Sequence, residues 1–127
     1  MRPSPLFLAF AAVSALQAQV TVPALDPGGL AATLKSRTWV IIEFGGPSCV
    51  PCVRMQPILG ELQAHFGTRA LVRNFYVTQH PAEARAHKVM AMPTQVVFDP
   101  TGKEVARHIG FWPKADFLEA LGKAGLK

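Results

Sequence analysis

The sequence predicts an α/β fold in which a mixed sheet of four to five strands carries helices on both faces. Three observations lead there. Trp39 to Phe44 is an apolar run interrupted by one acid, Glu43, the pattern of a strand covered on both sides. Strand-like and helix-like segments alternate through the first two thirds of the chain. In the last third, Asp99-Pro100-Thr101-Gly102 is strong turn chemistry between two strand-like runs, and so short a link makes that pair antiparallel.

Taken in order, Val20 to Leu25 reads as a short first strand. Asp26-Pro27 is an N-cap followed by proline at the first helical position, with Leu30 and Leu34 one turn apart behind it. After the strand at 39–44, the apolar positions Met55, Ile58, Leu59, Leu62 and Phe66 trace one face of a helix from about Val50 to Phe66. Pro57 lies inside that helix and is expected to kink it, because proline removes a backbone donor. Leu71 to Val77 follows as a strand and Pro81 to Val89 as a short helix opened by proline. Thr94 to Phe98 and Lys103 to Ile109 form the hairpin. Pro113 to Leu121 closes the chain as a helix with Phe117, Leu118 and Leu121 facing inward.

Composition bounds the function classes. The chain has 127 residues, half of them hydrophobic and 17% charged, which suits one domain with one core and excludes global disorder. The formal charge is +5, but lysines and arginines are scattered, with no run of three and no aromatic interleaving. No nucleic-acid partner is expected, since such a footprint would gather the basic residues on one face. No apolar surface stripe is evident, and a monomer is expected.

Residues 1–18 have a separate character. Arg2 precedes an apolar stretch from Leu6 to Leu16, and Ala15 and Ala18 offer small residues for cleavage. The stretch suits a signal-peptide core and is shorter than the roughly 20 residues that span a bilayer. The domain is therefore expected over 19–127, in an exported and periplasmic protein, with an uncleaved interfacial anchor as the alternative.

Cys49-Val50-Pro51-Cys52 contains the only two cysteines. The pair stands where a buried strand gives way to a helix, and a helix N-terminus favours thiolate over thiol. Redox exchange with other disulfides is the expected use. A structural disulfide would close so short a loop that its stabilisation is only about 2 kcal/mol. A zinc site needs about four ligands. His65 follows Cys52 with twelve residues between, but the next histidine, His80, is too distant for the usual second spacing. Two incidental free thiols are the remaining alternative. Cys49, nearer the helix start, is assigned as the nucleophile and Cys52 as the resolving thiol. No cofactor or metal is called for.

From Trp39 to Gly110 the chain resembles the thioredoxin family, most closely its exported bacterial relatives. The resemblance rests on Glu43-Phe44 in an apolar strand, Cys-x-Pro-Cys at 49–52, Pro57 five residues later, and Met92-Pro93-Thr94 before the next apolar strand. Gly102 in a turn and Gly110 near the sheet's end complete it. It implies the thioredoxin fold, a cis-proline at Pro93 beside the cysteines, and a buried acid at Glu43 relaying a proton to or from Cys52. Met92 and Pro93, with Val50 and Pro51, would meet the substrate, the Met92 backbone pairing with an extended peptide as an added strand.

Proline beside the second cysteine is similar to reducing thioredoxins, whereas oxidising relatives carry histidine there. The implied activity is reduction of protein disulfides, with a membrane thiol transporter as electron donor. A disulfide oxidase or isomerase, and a Cu(I) carrier using the same two sulfurs, stand as alternatives. Three positions depart from the family. Ser48 and Gly45 stand where tryptophans are usual, and Asn74 replaces a buried lysine near the acid. His65, His80, His87 and His108 are expected to be surface or satisfied polar residues, and Trp112 with Phe111 to pack in the core or at its rim.

Overall fold

A computed structural model describes residues 21–127 of the chain. The proposed leader at 1–18 lies outside the described residues. Within them, the elements follow the expected order: β1 (Ala24–Leu25), α1 (Pro27–Leu34), β2 (Trp39–Gly45), α2 (Val50–Phe66), β3 (Ala70–Tyr76), α3 (Pro81–Ala86), β4 (Thr94–Phe98), β5 (Glu104–Ile109) and α4 (Lys114–Ala124). A single 3₁₀ turn, Gly67–Arg69, joins α2 to β3.

The five strands form one mixed sheet in the order β1-β3-β2-β4-β5. β3 is parallel to β1 and β2, while β4 runs antiparallel to both β2 and β5. The central strand β2 is thus paired along both edges, which explains why its sequence is apolar on both faces. Alternation of side chains divides the core into two layers. On one face Ile41, Val72 and Val97 meet Met55, Leu59, Leu62 and Phe66 of α2 and Phe117 and Leu121 of α4. On the other, Val40, Ile42, Phe44, Phe75, Val96 and Phe98 meet Leu30 of α1 and Ala84 of α3. Helices therefore cover both faces.

Several boundaries differ from expectation for local reasons. Of the strand expected from Val20 to Leu25, Val20 lies outside the described residues, and within 21–25 only Ala24–Leu25 is strand; Pro23, which cannot donate to a ladder, precedes it and only accepts, from Asn74 N–H at 2.8 Å. α3 ends at Ala86 instead of Val89 because Lys88 takes a left-handed φ of 58°. α4 begins after Pro113 and runs one residue short of Gly125, whose φ of 115° closes it. Asp26 caps α1 as expected, its carboxylate accepting from Gly29 N–H at 2.6 Å. α2 is continuous through Pro57, and Ile58 is half-buried rather than fully inward.

Candidate functional site

The site lies where β2 ends and α2 begins. Four residues, Gly46 to Cys49, turn the chain from the sheet into the helix, and Cys49 is the helix N-cap. Its Sγ accepts from Cys52 N–H at 3.4 Å, so the sulfur sits on the unpaired amides of the first turn, where negative charge is favoured. Cys49 and Cys52 are joined as a disulfide with Cα atoms 5.2 Å apart. Cys49 is half-buried, whereas Cys52, one turn into the helix and facing the sheet, is only 2% exposed. Val50, between them, is 71% exposed and Pro51 half-buried.

A second segment brings Met92 and Pro93 to the same end of the sheet. The Met92–Pro93 peptide bond is cis, as the resemblance implies. Pro93 is buried and Met92 is 38% exposed, its sulfur 3.7 Å from where a Cβ on Gly46 would sit. Gly46 opens the cysteine turn, its carbonyl accepting from Cys49 N–H at 3.4 Å, so Met92 stands beside the segment that carries the pair. Met90 and Ile109 are exposed large apolar side chains as well, a surface feature that the sequence pattern did not reveal.

Beneath the disulfide is Glu43, 1% exposed on the α2 side of β2. Its strand neighbours in register are Asn74 on β3 and Gln95 on β4, both buried. One carboxylate oxygen accepts from Gln95 Nε2 at 2.9 Å and the other from Gln56 Nε2 at 3.0 Å. Burial pushes the carboxyl up to about 7 from its ordinary 4.5, and the Gln95 hydrogen bond partly opposes that rise. Asn74, in the place of the family's lysine, exchanges hydrogen bonds with Gln56, donating at 2.8 Å and accepting at 3.0 Å, and donates to the Val22 carbonyl at 3.0 Å.

Gln56 and Gln95 were missed in the sequence. Gln56 follows Cys52 by one helical turn, and Gln95 is the polar interruption in a strand otherwise apolar from Val96 to Phe98. Once the sheet register and the packing of α2 place them on the buried face, each needs a polar partner, and Glu43 supplies it.

The remaining candidates lie elsewhere. Each histidine packs against an aromatic ring: His65 on Phe66, His80 on Phe75, His87 on Phe44 and Phe98, and His108 on Trp112. Burial, aided by the nearby Arg107 charge, holds His87 below its ordinary value. Trp112 is buried, stacked between His108 at 4.5 Å and Phe117 at 4.0 Å, so it is a core residue. Phe111 is half-buried under the Arg54 guanidinium at 4.7 Å. Among the described residues no cluster of three or more His, Cys, Asp or Glu side chains is assembled for a metal.

Comparison with known proteins places this geometry. The family model described as Thioredoxin matches residues 29–123. The chain belongs to the thioredoxin family. Thioredoxin of Staphylococcus aureus strain Mu50 is 34% identical over 83 residues, covering 65% of this chain and 79% of that protein; the Staphylococcus aureus MW2 thioredoxin matches to the same extent. In fold the chain is similar to chloroplastic thioredoxin z, with a TM-score of 0.75 at 24% identity over 85% of this chain and 97% of the other. It is also similar to a chain from a study of thiol resolution in yeast mitochondrial 1-Cys peroxiredoxin via glutathione and thioredoxin systems. That match has a TM-score of 0.70 at 24% identity over 82% and 97%. This thioredoxin-like chain, with Cys49 and Cys52 at disulfide distance, is a thiol–disulfide oxidoreductase, and proteins of its kind act on protein disulfides.

Proposed function

We propose that this thioredoxin-like protein is exported, works in the periplasm as a monomer, and reduces protein disulfides there, drawing electrons from a membrane thiol transporter. In the reduced protein the Cys49 thiolate attacks one sulfur of the substrate disulfide. A mixed disulfide forms and the substrate's other sulfur leaves as a thiolate. Cys52 then loses its proton to Glu43, and its thiolate attacks Cys49 Sγ. The intermolecular bond breaks, the substrate leaves with both sulfurs reduced, and the Cys49–Cys52 disulfide remains.

The observation that carries this reading is the difference in exposure across one helical turn. Cys49 is reachable and sits on the amides of the helix N-terminus, while Cys52 is sealed beneath it. A partner can therefore meet only the first sulfur, and the second is left to resolve the bond. Glu43 supports the proton step because a carboxyl held near 7 can both take and return a proton at neutral pH. Val50, Pro51 and Met92 offer accessible surface at the same end of the sheet as the half-buried Cys49, and with the backbone at the buried Pro93 they make the face a substrate would meet. Proline at position 51 supports the reducing direction, since the histidine of oxidising relatives would stabilise the Cys49 thiolate further.

Trapping tests the role order. A Cys52→Ser variant expressed in the parent cell should accumulate mixed disulfides through Cys49 and identify its partners. Absence of any adduct, in cells where the wild-type protein cycles, would overturn the assignment. The reduction potential against glutathione tests the direction: a value near about −270 mV marks a reductant and one near about −120 mV an oxidant.

A further inference from the structure

The acid under the disulfide is held in an unusual way for a buried carboxylate: by neutral amides alone. From β4 Gln95 donates to it and from α2 Gln56, while Asn74 stands in register on β3. The ionisable residues nearest in register on the flanking strands are bonded elsewhere. Arg73 donates to Gln63 Oε1 and the Val72 carbonyl, and His108 contacts the Phe111 carbonyl. No lysine, arginine or histidine makes a salt bridge to Glu43 among the described residues.

Both amides are fixed in one orientation. Gln95 Nε2 donates to Glu43 Oε1 at 2.9 Å and to the Gly110 carbonyl at 3.1 Å. Turning the amide over would set its oxygen against that carbonyl. Its own Oε1 is buried without any donor, so the site leaves one acceptor unsatisfied while keeping an N–H on the acid. Gln56 is fixed through a relay. The Val22 carbonyl requires the Asn74 NH₂ to face it, and that NH₂ also donates to Gln56 Oε1; Gln56 Nε2 is thereby turned to Asn74 Oδ1 and Glu43 Oε2, each at 3.0 Å, with the Cys52 carbonyl at 3.3 Å sharing its two N–H groups. A proton on Glu43 finds no acceptor in either amide. Gly45, in contrast, leaves open the space between the acid and the resolving sulfur. A Cβ there would stand 2.9 Å from Cys52 Sγ and 3.6 Å from Glu43 Cγ.

We infer that Gln56 and Gln95 are positioning residues that hold Glu43 between two fixed N–H donors, so that the site accommodates the carboxylate and directs its proton to the Cys52 side. This rests on the reading of Glu43 as the proton acceptor for Cys52. It assigns to the two glutamines the electrostatic part that a buried lysine would otherwise play, with Asn74 reduced to orienting Gln56. Simple packing is the competing role, and an apolar residue of equal length would satisfy it.

Methionine matches glutamine in length and lacks the donors, so Gln95→Met and Gln56→Met separate the two roles. The full-length protein would be labelled with ¹³C at glutamate side-chain carboxyls and the Glu43 midpoint followed by NMR across pH 4–10, in oxidised and reduced forms. Removing one charge-assisted donor should raise the midpoint by about one to two units in each variant, and further in the double variant. Midpoints unchanged from wild type in folded Gln56→Met, whose position is only half-buried on a helix, would overturn the inference; so would unchanged midpoints in Gln95→Met. The pH profile of disulfide reduction by Glu43→Gln judges the underlying reading separately. A profile identical to wild type would remove Glu43 from the proton step while leaving the midpoints to report on the clamp.

Discussion

Replacing Glu43 by glutamine should make the folded protein's stability less dependent on pH, and the size of that change follows from the burial of the carboxyl. In the unfolded chain Glu43 ionises near its ordinary 4.5, but in the folded protein only near 7. Between those values the unfolded state releases the proton and the folded state keeps it. Glu43's contribution to stability is therefore full below pH 4.5 and is lost as pH rises through 7. At 1.36 kcal/mol per unit, the wild-type protein should lose roughly 3 kcal/mol through this group alone, most of it between about pH 5 and 8. Glu43→Gln cannot ionise and escapes that loss. It also turns an NH₂ toward one of the two fixed donors, and the forfeited hydrogen bond lowers its whole curve by about 1 kcal/mol at every pH. The assay is urea unfolding of both oxidised proteins at half-unit steps from pH 4.5 to 8.5. The difference between the two curves cancels the other titrating groups. It should change by roughly 2–3 kcal/mol in the variant's favour from pH 5 to pH 8. A difference that stays constant across this window would refute the claim that the buried carboxyl titrates far above its ordinary value.

Three further outcomes follow from local geometry. Gly45→Ala puts a Cβ 2.9 Å from Cys52 Sγ and 3.2 Å from Cys52 Cβ, so the oxidised protein should lose about 1–3 kcal/mol in urea unfolding. Gly46→Ala, whose Cβ meets only Met92 sulfur at an ordinary 3.7 Å, should stay within about 0.5 kcal/mol of wild type. Asp26→Ala removes the acceptor for Gly29 N–H at the start of α1 and should cost about 1 kcal/mol by the same measurement.

Much of the fold was legible because its signals are local. Asp26-Pro27 states the start of α1 by capping chemistry, the turn at 99–102 states the hairpin, and the apolar spacing of Met55, Leu59, Leu62 and Phe66 states the buried face of α2. Glu43 stood out as one charge in an apolar run, and its burial is what the run demands. The cysteine pair declared its place because the strand and helix flanking it were both readable. Pro93 was different: nothing local distinguishes its cis bond, and only the resemblance pointed to it.

What stayed hidden depends on register. Gln95 faces Glu43 because β4 pairs antiparallel with β2 at that residue, and a shift of one position would turn it to the other side of the sheet. Asn74 aligns with Glu43 only through the parallel pairing of β3. Gln56 joins them because α2 packs on this face rather than the opposite one. Each glutamine taken alone reads as a surface residue, and the cluster exists only after three strands and a helix are assembled.

The amide setting of Glu43 has a consequence for where such a protein can work. A carboxylate governed by a solvent-accessible cation responds to ionic strength, because dissolved electrolyte screens the attraction over about 8 Å at physiological concentration and over less in brine. Glu43 is sealed from solvent and its hydrogen-bond partners carry no net charge, so there is no ion pair at the acid for mobile ions to weaken. If the protein is exported as proposed, to surroundings whose salt content varies, the acid beneath the disulfide would keep one set point.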